Sequence, residues 1–154
     1  MIVRPATSAD AHAIATFLSE LNWFSGLKDK SIEDIETFVS ESLSRDNSQA
    51  LIEIALINDQ VVGYVHIVLQ NVLFLPGPSA YLSELFIHPG FRGQGIGSAL
   101  LNKALNFADE NRAARVMLNN DRERDSYERG FYSKHGFAER ENMANFVLKI
   151  SYVD

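Results

Sequence analysis

Residues 81–108 read YLSELFIHPGFRGQGIGSALLNKALNFA. The β-rich opening, Tyr81 to Ile87, predicts a strand. The last part, from about Gln94 to Asn111, predicts a helix. Between them lies the turn Arg92-Gly93-Gln94-Gly95-Ile96-Gly97. Its three glycines let backbone N–H groups approach an anion with no Cβ in the way. The helix that follows aims its free N–H groups and the positive end of its dipole at the same place. This combination predicts a site for a phosphate or pyrophosphate.

Working outward, Ile2-Val3-Arg4-Pro5 predicts a first strand. Thr7 and Asp10 have capping-box spacing ahead of Ile14, Phe17, Leu18 and Leu21 at helical period. A loop with Trp23, Phe24 and Gly26 leads to a second helix near Ser31, with Asp34 as reciprocal cap and Ile32, Ile35, Phe38 and Val39 as its stripe. Ala50 to Ile57 and Gln60 to Leu69 form a hairpin around Asn58-Asp59. Pro76-Gly77-Pro78 marks a loop. Beyond the glycine turn and its helix come a strand at Arg115 to Leu118, a helix at Ser126 to His135 stopped by Gly136, and a closing strand at Asn145 to Tyr152. The order β-α-α-β-β-β-α-β-α-β predicts one α/β domain over residues 1–154, a mixed sheet with helices on both faces.

The chain has 154 residues, 46% of them hydrophobic, which suits one packed domain. Its net charge of −6 argues against nucleic acid as a partner. It fits a cationic substrate better. With no cysteine there is no disulfide, thiolate metal site or cysteine nucleophile. The N-terminus MIVRPATSAD lacks a signal-peptide run, and no apolar stretch approaches a membrane span. A cytoplasmic protein with no membrane partner is expected.

Three families place glycines before a helix. A P-loop needs Lys and Ser/Thr after its last glycine, but Ile96-Gly97 follow Gly95. A dinucleotide fold needs a third glycine where Ser98 stands, and it needs the motif in the first βαβ unit. The run Arg92-x-x-Gly95-x-Gly97, preceded by Glu84-Leu85-Phe86-Ile87-His88-Pro89, resembles the coenzyme A signature of the GCN5-related N-acetyltransferases. The later run Phe131-Tyr132-Ser133-Lys134-His135-Gly136-Phe137 resembles that family's second motif, and the element order matches over nearly the whole chain.

The resemblance implies an acetyl-CoA site between two splayed parallel strands, Tyr81–Ile87 and Arg115–Leu118, with no metal. Amides of Gly93, Gln94, Gly95, Ile96, Gly97 and Ser98 would hold the pyrophosphate, with Arg92 on a phosphate or in solvent. Backbone groups of Leu85, Phe86 and Ile87 would pair with the pantetheine arm as an added strand. Many members carry Asn and Ala where this chain has Asp125 and Glu128, so the pantetheine contact borrowed from that Asn does not carry over.

Acetyl transfer to an amine needs a free lone pair on nitrogen, donors for the developing oxyanion, and an acid for the leaving thiolate. The resemblance places Tyr132 as that acid; packing beside Phe131 is its structural alternative. Glu84, a carboxylate in an apolar strand, is the candidate base, directly or through water, with a salt-bridge role as alternative. Desolvation is expected to raise its pKa. Sheets of the resembled family often carry a β-bulge in this strand. None of His12, His66, His88 and His135 has ligand spacing; His66 either reaches the acceptor pocket or is structural. Trp23 and Phe24 either border the acceptor site or pack over the sheet. The run Asp121-Arg122-Glu123-Arg124-Asp125 is most simply a solvated loop.

The reading is an acetyl-CoA-dependent N-acetyltransferase that transfers directly to a primary amine of a small molecule, peptide or protein. The alternative is a catalytically silent CoA-binding sensor or interaction domain of the same fold. Family members are often dimers, so a homodimer stays open.

Overall fold

The computed structural model describes residues 1–45 and 48–150. The sequence caps set the first elements. Strand β1 (Ile2–Pro5) leads into a 3-10 turn at Ser8–Asp10 and helix α1 (Ala11–Leu21). The expected Thr7–Asp10 capping box is formed. The Asp10 carboxylate also accepts from both Arg4 guanidinium nitrogens, at 2.8 and 2.7 Å. Those Arg4 bonds hold its pKa well below the usual carboxylate range. Helix α2 (Ile32–Ser44) starts at Ser31, whose hydroxyl accepts from the Asp34 amide at 3.1 Å.

Strands β2 (Ala50–Ile57), β3 (Gln60–Gln70), β4 (Ser79–Ile87) and β5 (Arg115–Met117) complete a five-stranded sheet in sequence order. All neighbours are antiparallel except β4 and β5, which are parallel. Asn58 and Asp59, at φ 49° and 62°, make the tight turn that the hairpin required. Helix α3 (Ile96–Glu110) links β4 to β5.

Helices cover both faces of the sheet. On one face Ile14, Phe17 and Leu21 of α1 pack on Ile54 and Tyr64. On the other, Lys103 of α3 reaches 3.8 Å from the buried Glu53, the neighbour of Ile54 on β2. Leu100, Leu101 and Ala104 of α3 are fully buried.

The described chain divides into two compact units, Met1–Leu118 and Asn119–Asp154. The second holds two short helices, α4 (Asp125–Glu128) and α5 (Phe131–Lys134), where one helix over Ser126–His135 was expected. Gly130, at φ 64° and ψ 38°, is the cause. A left-handed residue ends one helix and cannot continue it. Gly136 then ends α5 at φ 87°, as expected. The predicted last strand is not formed over residues 145–150, where Phe146, Val147, Leu148 and Ile150 are 68–92% exposed. A run of apolar residues makes a strand only where a partner strand supplies hydrogen bonds. Residues 151 and 152 of that prediction lie outside the described residues.

Candidate active site

The strand–turn–helix unit presents backbone, not side chains, to a ligand. Gly93 and Gly95 stand at φ 76° and 79°, and Gly95 is the N-cap of α3. A Cβ on either would meet no protein atom within 4 Å, so their outer side is open. The Ile96 side chain is 1% exposed and anchors the helix in the core, which leaves its amide for the turn. Gly97 and Ser98 follow in the first helical turn, where N–H groups have no helical acceptor. Gln94 is exposed. These residues fit the phosphate group of a CoA ligand. Arg92 is exposed, and its guanidinium lies over the Trp23 ring, 5.2 Å from the centroid.

Next to the turn, β4 has a bare edge. Its parallel pairing with β5 ends at Tyr81↔Met117. Among the described residues, no strand pairs with the edge of Leu85, Phe86 and Ile87 on that side. Their N–H and C=O groups there are available to an extended ligand.

β4 carries a bulge. His66 pairs with Glu84 and Ile67 with Leu82, leaving Ser83 unpaired in the ladder. Its hydroxyl donates instead to the His66 carbonyl at 3.1 Å. The bulge turns Glu84 onto the α1 face of the sheet, opposite His66 and diagonal to Tyr64. The buried Tyr64 hydroxyl donates to Glu84 Oε2 at 2.5 Å, and His66 Nδ1 lies 3.9 Å from Oε1. Burial pushes the Glu84 pKa up, but His66 and the Tyr64 hydroxyl favour the ionised form, and the net direction is down. The expectation of a raised pKa is therefore overturned: a partner on each oxygen outweighs desolvation. Burial, and then the Glu84 charge, push the Tyr64 hydroxyl well above its ordinary range, so it stays a donor.

Tyr64 had no motif to reveal it. Its role comes from cross-strand register, which pairs Tyr64 with Phe86 and sets Glu84 two residues away along β4. Trp23 and Phe24 pack edge-on to Phe86 at 6.1 and 5.0 Å between centroids.

Tyr64, His66 and Glu84 form the polar end of a cavity of about 200 Å³. The rest of its wall is apolar apart from Ser42, with Leu18 from α1, Ile35, Val39 and Leu43 from α2, and Ile52 from β2.

In the second unit, Tyr132 on α5 packs edge-on to Phe131 and Phe137, at 5.0 and 5.8 Å. Burial pushes its hydroxyl up to about 12. Asp125 pairs with Arg129 at 2.9 Å, and Arg122 with Glu139, so this run forms surface ion pairs. Among the described residues no three His, Cys, Asp or Glu side chains gather where they could hold a metal ion. No helix among them is long and apolar enough to cross a membrane.

A five-stranded mixed sheet with helices on both faces thus carries a glycine turn at a helix N-terminus beside the unpaired edge of β4. Residues 15–137 match the acetyltransferase (GNAT) family, and the chain belongs to it. It is 25% identical over 150 residues to the uncharacterized N-acetyltransferase YhfO of Bacillus subtilis strain 168, covering 97% of this chain and 98% of that one. Two solved structures share the fold. One is an integron cassette protein from the mobile metagenome of V. cholerae, at TM-score 0.82 and 17% identity, with 96% and 91% of the two chains covered. The other is an aminoglycoside acetyltransferase from an uncultured soil sample, solved in complex with sisomicin. It has TM-score 0.75 and 19% identity, with 97% and 96% covered.

Proposed function

We propose that residues 1–154 form one N-acetyltransferase domain that moves the acetyl group of acetyl-CoA directly to a primary amine. The observation that carries this reading is the unpaired edge of Leu85–Ile87 running into the open turn at Gly93–Ser98. One side offers strand-like hydrogen bonds to a pantetheine arm, and the other offers amides to a pyrophosphate. Glu84 stands on the same strand. Its ionised carboxylate attracts an ammonium and takes a proton from it, directly or through water. The amine lone pair then attacks the thioester carbon, the C–S bond breaks, Tyr132 protonates the departing sulfur, and the acylated nitrogen gives up its second proton, which restores the Tyr132 hydroxyl directly or through water. A hydroxyl at about 12 remains protonated at neutral pH and so has a proton to give.

Calorimetry with CoA, followed by free-CoA release across polyamines, aminoglycosides, amino acids and N-terminal peptides, tests the proposal. Binding and turnover are expected. Absence of CoA binding overturns the site, and binding without turnover of any amine identifies the silent module instead.

A further inference from the structure

The cavity behind Glu84 has chemistry at only one end. Its walls from α1, α2 and β2 are apolar except for Ser42, whose hydroxyl donates back to the Phe38 carbonyl at 3.0 Å. At the other end, Glu84 and His66 reach solvent, at 40% and 25% side-chain exposure. We propose that the acceptor is a small-molecule amine whose one ammonium sits at Glu84 and whose alkyl or aryl body fills this cavity. The inference rests on the acetyltransferase reading above.

Size and polarity favour this class. An apolar cavity of about 150 Å³ takes up benzene. At about 200 Å³ this one has room for a phenyl ring on a short linker, or for a six-carbon chain. A polyamine or aminoglycoside would press a second cation against Leu18, Val39 and Leu43 with no carboxylate to meet it. A peptide would set its amide groups against the same wall, where among the described residues Ser42 is the one polar side chain. A lone ammonium on an apolar body satisfies both ends.

The test is free-CoA release with ethylamine, butylamine, hexylamine, 2-phenylethylamine, spermidine and sisomicin. It is run on the native protein, on Val39→Phe, which fills the cavity, and on Leu43→Ala, which enlarges it. For the native protein, kcat/KM is expected to rise about fourfold per added methylene up to hexylamine. 2-Phenylethylamine should rank high, and spermidine and sisomicin low. Val39→Phe should erase most of the chain-length gain with CoA affinity unchanged, and Leu43→Ala should move the optimum to longer amines. A flat alkyl series, or spermidine or sisomicin outpacing hexylamine, overturns the proposal while leaving the transferase reading intact. If no amine turns over, the transferase reading falls and calorimetry with hexylamine decides the cavity. Binding that Val39→Phe abolishes supports it, and no binding to the native protein overturns it.

Discussion

The Tyr64 hydroxyl donates to Glu84 Oε2 at 2.5 Å, from a side chain that is itself 5% exposed. This bond ties the proposed base to the core beneath α1 and helps to keep it ionised. Tyr64→Phe keeps the ring against Phe17 and Phe86 and removes only the donor. A hydrogen bond to a charged group is worth about 1.5 kcal/mol or somewhat more, so Tm should fall by roughly 4 °C. The acid limb of kcat/KM should also move to higher pH, because the carboxylate loses a group that favours its charge. An unmoved limb in a folded variant would separate Tyr64 from the chemistry.

Glu84 itself sets a pH dependence of known sign. Its folded pKa lies below the ordinary 4.5, so its contribution to stability is present above that value and is lost as pH falls through the folded pKa. Across the neutral range it stays a carboxylate. Glu84→Gln should therefore lower kcat/KM most at low pH, where an alkylamine of pKa about 10 is almost wholly protonated. Part of that loss should return toward about pH 9. Superimposable pH–rate profiles for the two proteins would make Glu84 a bystander.

Gly95 tests the anion site. Any other residue at φ 79° carries about 1–2 kcal/mol of backbone strain, and its Cβ points into the open space a ligand would need. Gly95→Val should cost a few degrees in Tm but weaken CoA binding at least about tenfold, more than strain alone explains. Calorimetry alongside thermal melting separates the two effects.

Arg92 and Trp23 join the glycine turn to the loop after α1, 5.2 Å apart. Trp23 is the protein's one tryptophan, so its emission reports on this contact. If Arg92 engages a CoA phosphate, its guanidinium changes position over the indole, and CoA titration should change the fluorescence. Arg92→Ala should abolish that change and weaken binding several-fold. An identical fluorescence response in the variant would remove Arg92 from the CoA site.

The parts of this molecule written in local sequence were legible in it. The Thr7–Asp10 and Ser31–Asp34 caps, the Asn58-Asp59 turn and the Gly95 helix start each depend on residues a few positions apart, and each is formed. The Tyr64–Glu84–His66 cluster depends on the register of two strands and on a bulge at Ser83, which no local pattern specifies. For the same reason the direction of the Glu84 shift was missed, since it follows from partners 18 and 20 residues away in the chain. The break at Gly130 was masked by helix-forming neighbours on both sides. The apolar run over residues 146–150 is strand-like, but pairing is not a local property.

Tyr132 carries the last prediction. Its folded pKa of about 12 exceeds the ordinary 10, so its neutral form contributes stability that is complete below pH 10 and is lost as pH rises through about 12. An acid with that pKa keeps its proton throughout any practical assay. The native kcat should then show no loss near pH 10, where an ordinary tyrosine would already be half ionised. Tyr132→Phe keeps the ring between Phe131 and Phe137 and removes the transferable proton. General acids contribute about 10²–10⁴ in rate, and water can replace part of that, so kcat should fall at least about tenfold while CoA affinity and Tm stay close to native. The split between kcat and affinity is the informative readout, because a merely structural tyrosine would alter stability or binding instead. Single-turnover kinetics isolate the chemical step, and equal single-turnover rates in the two proteins would assign the leaving-group proton to another donor.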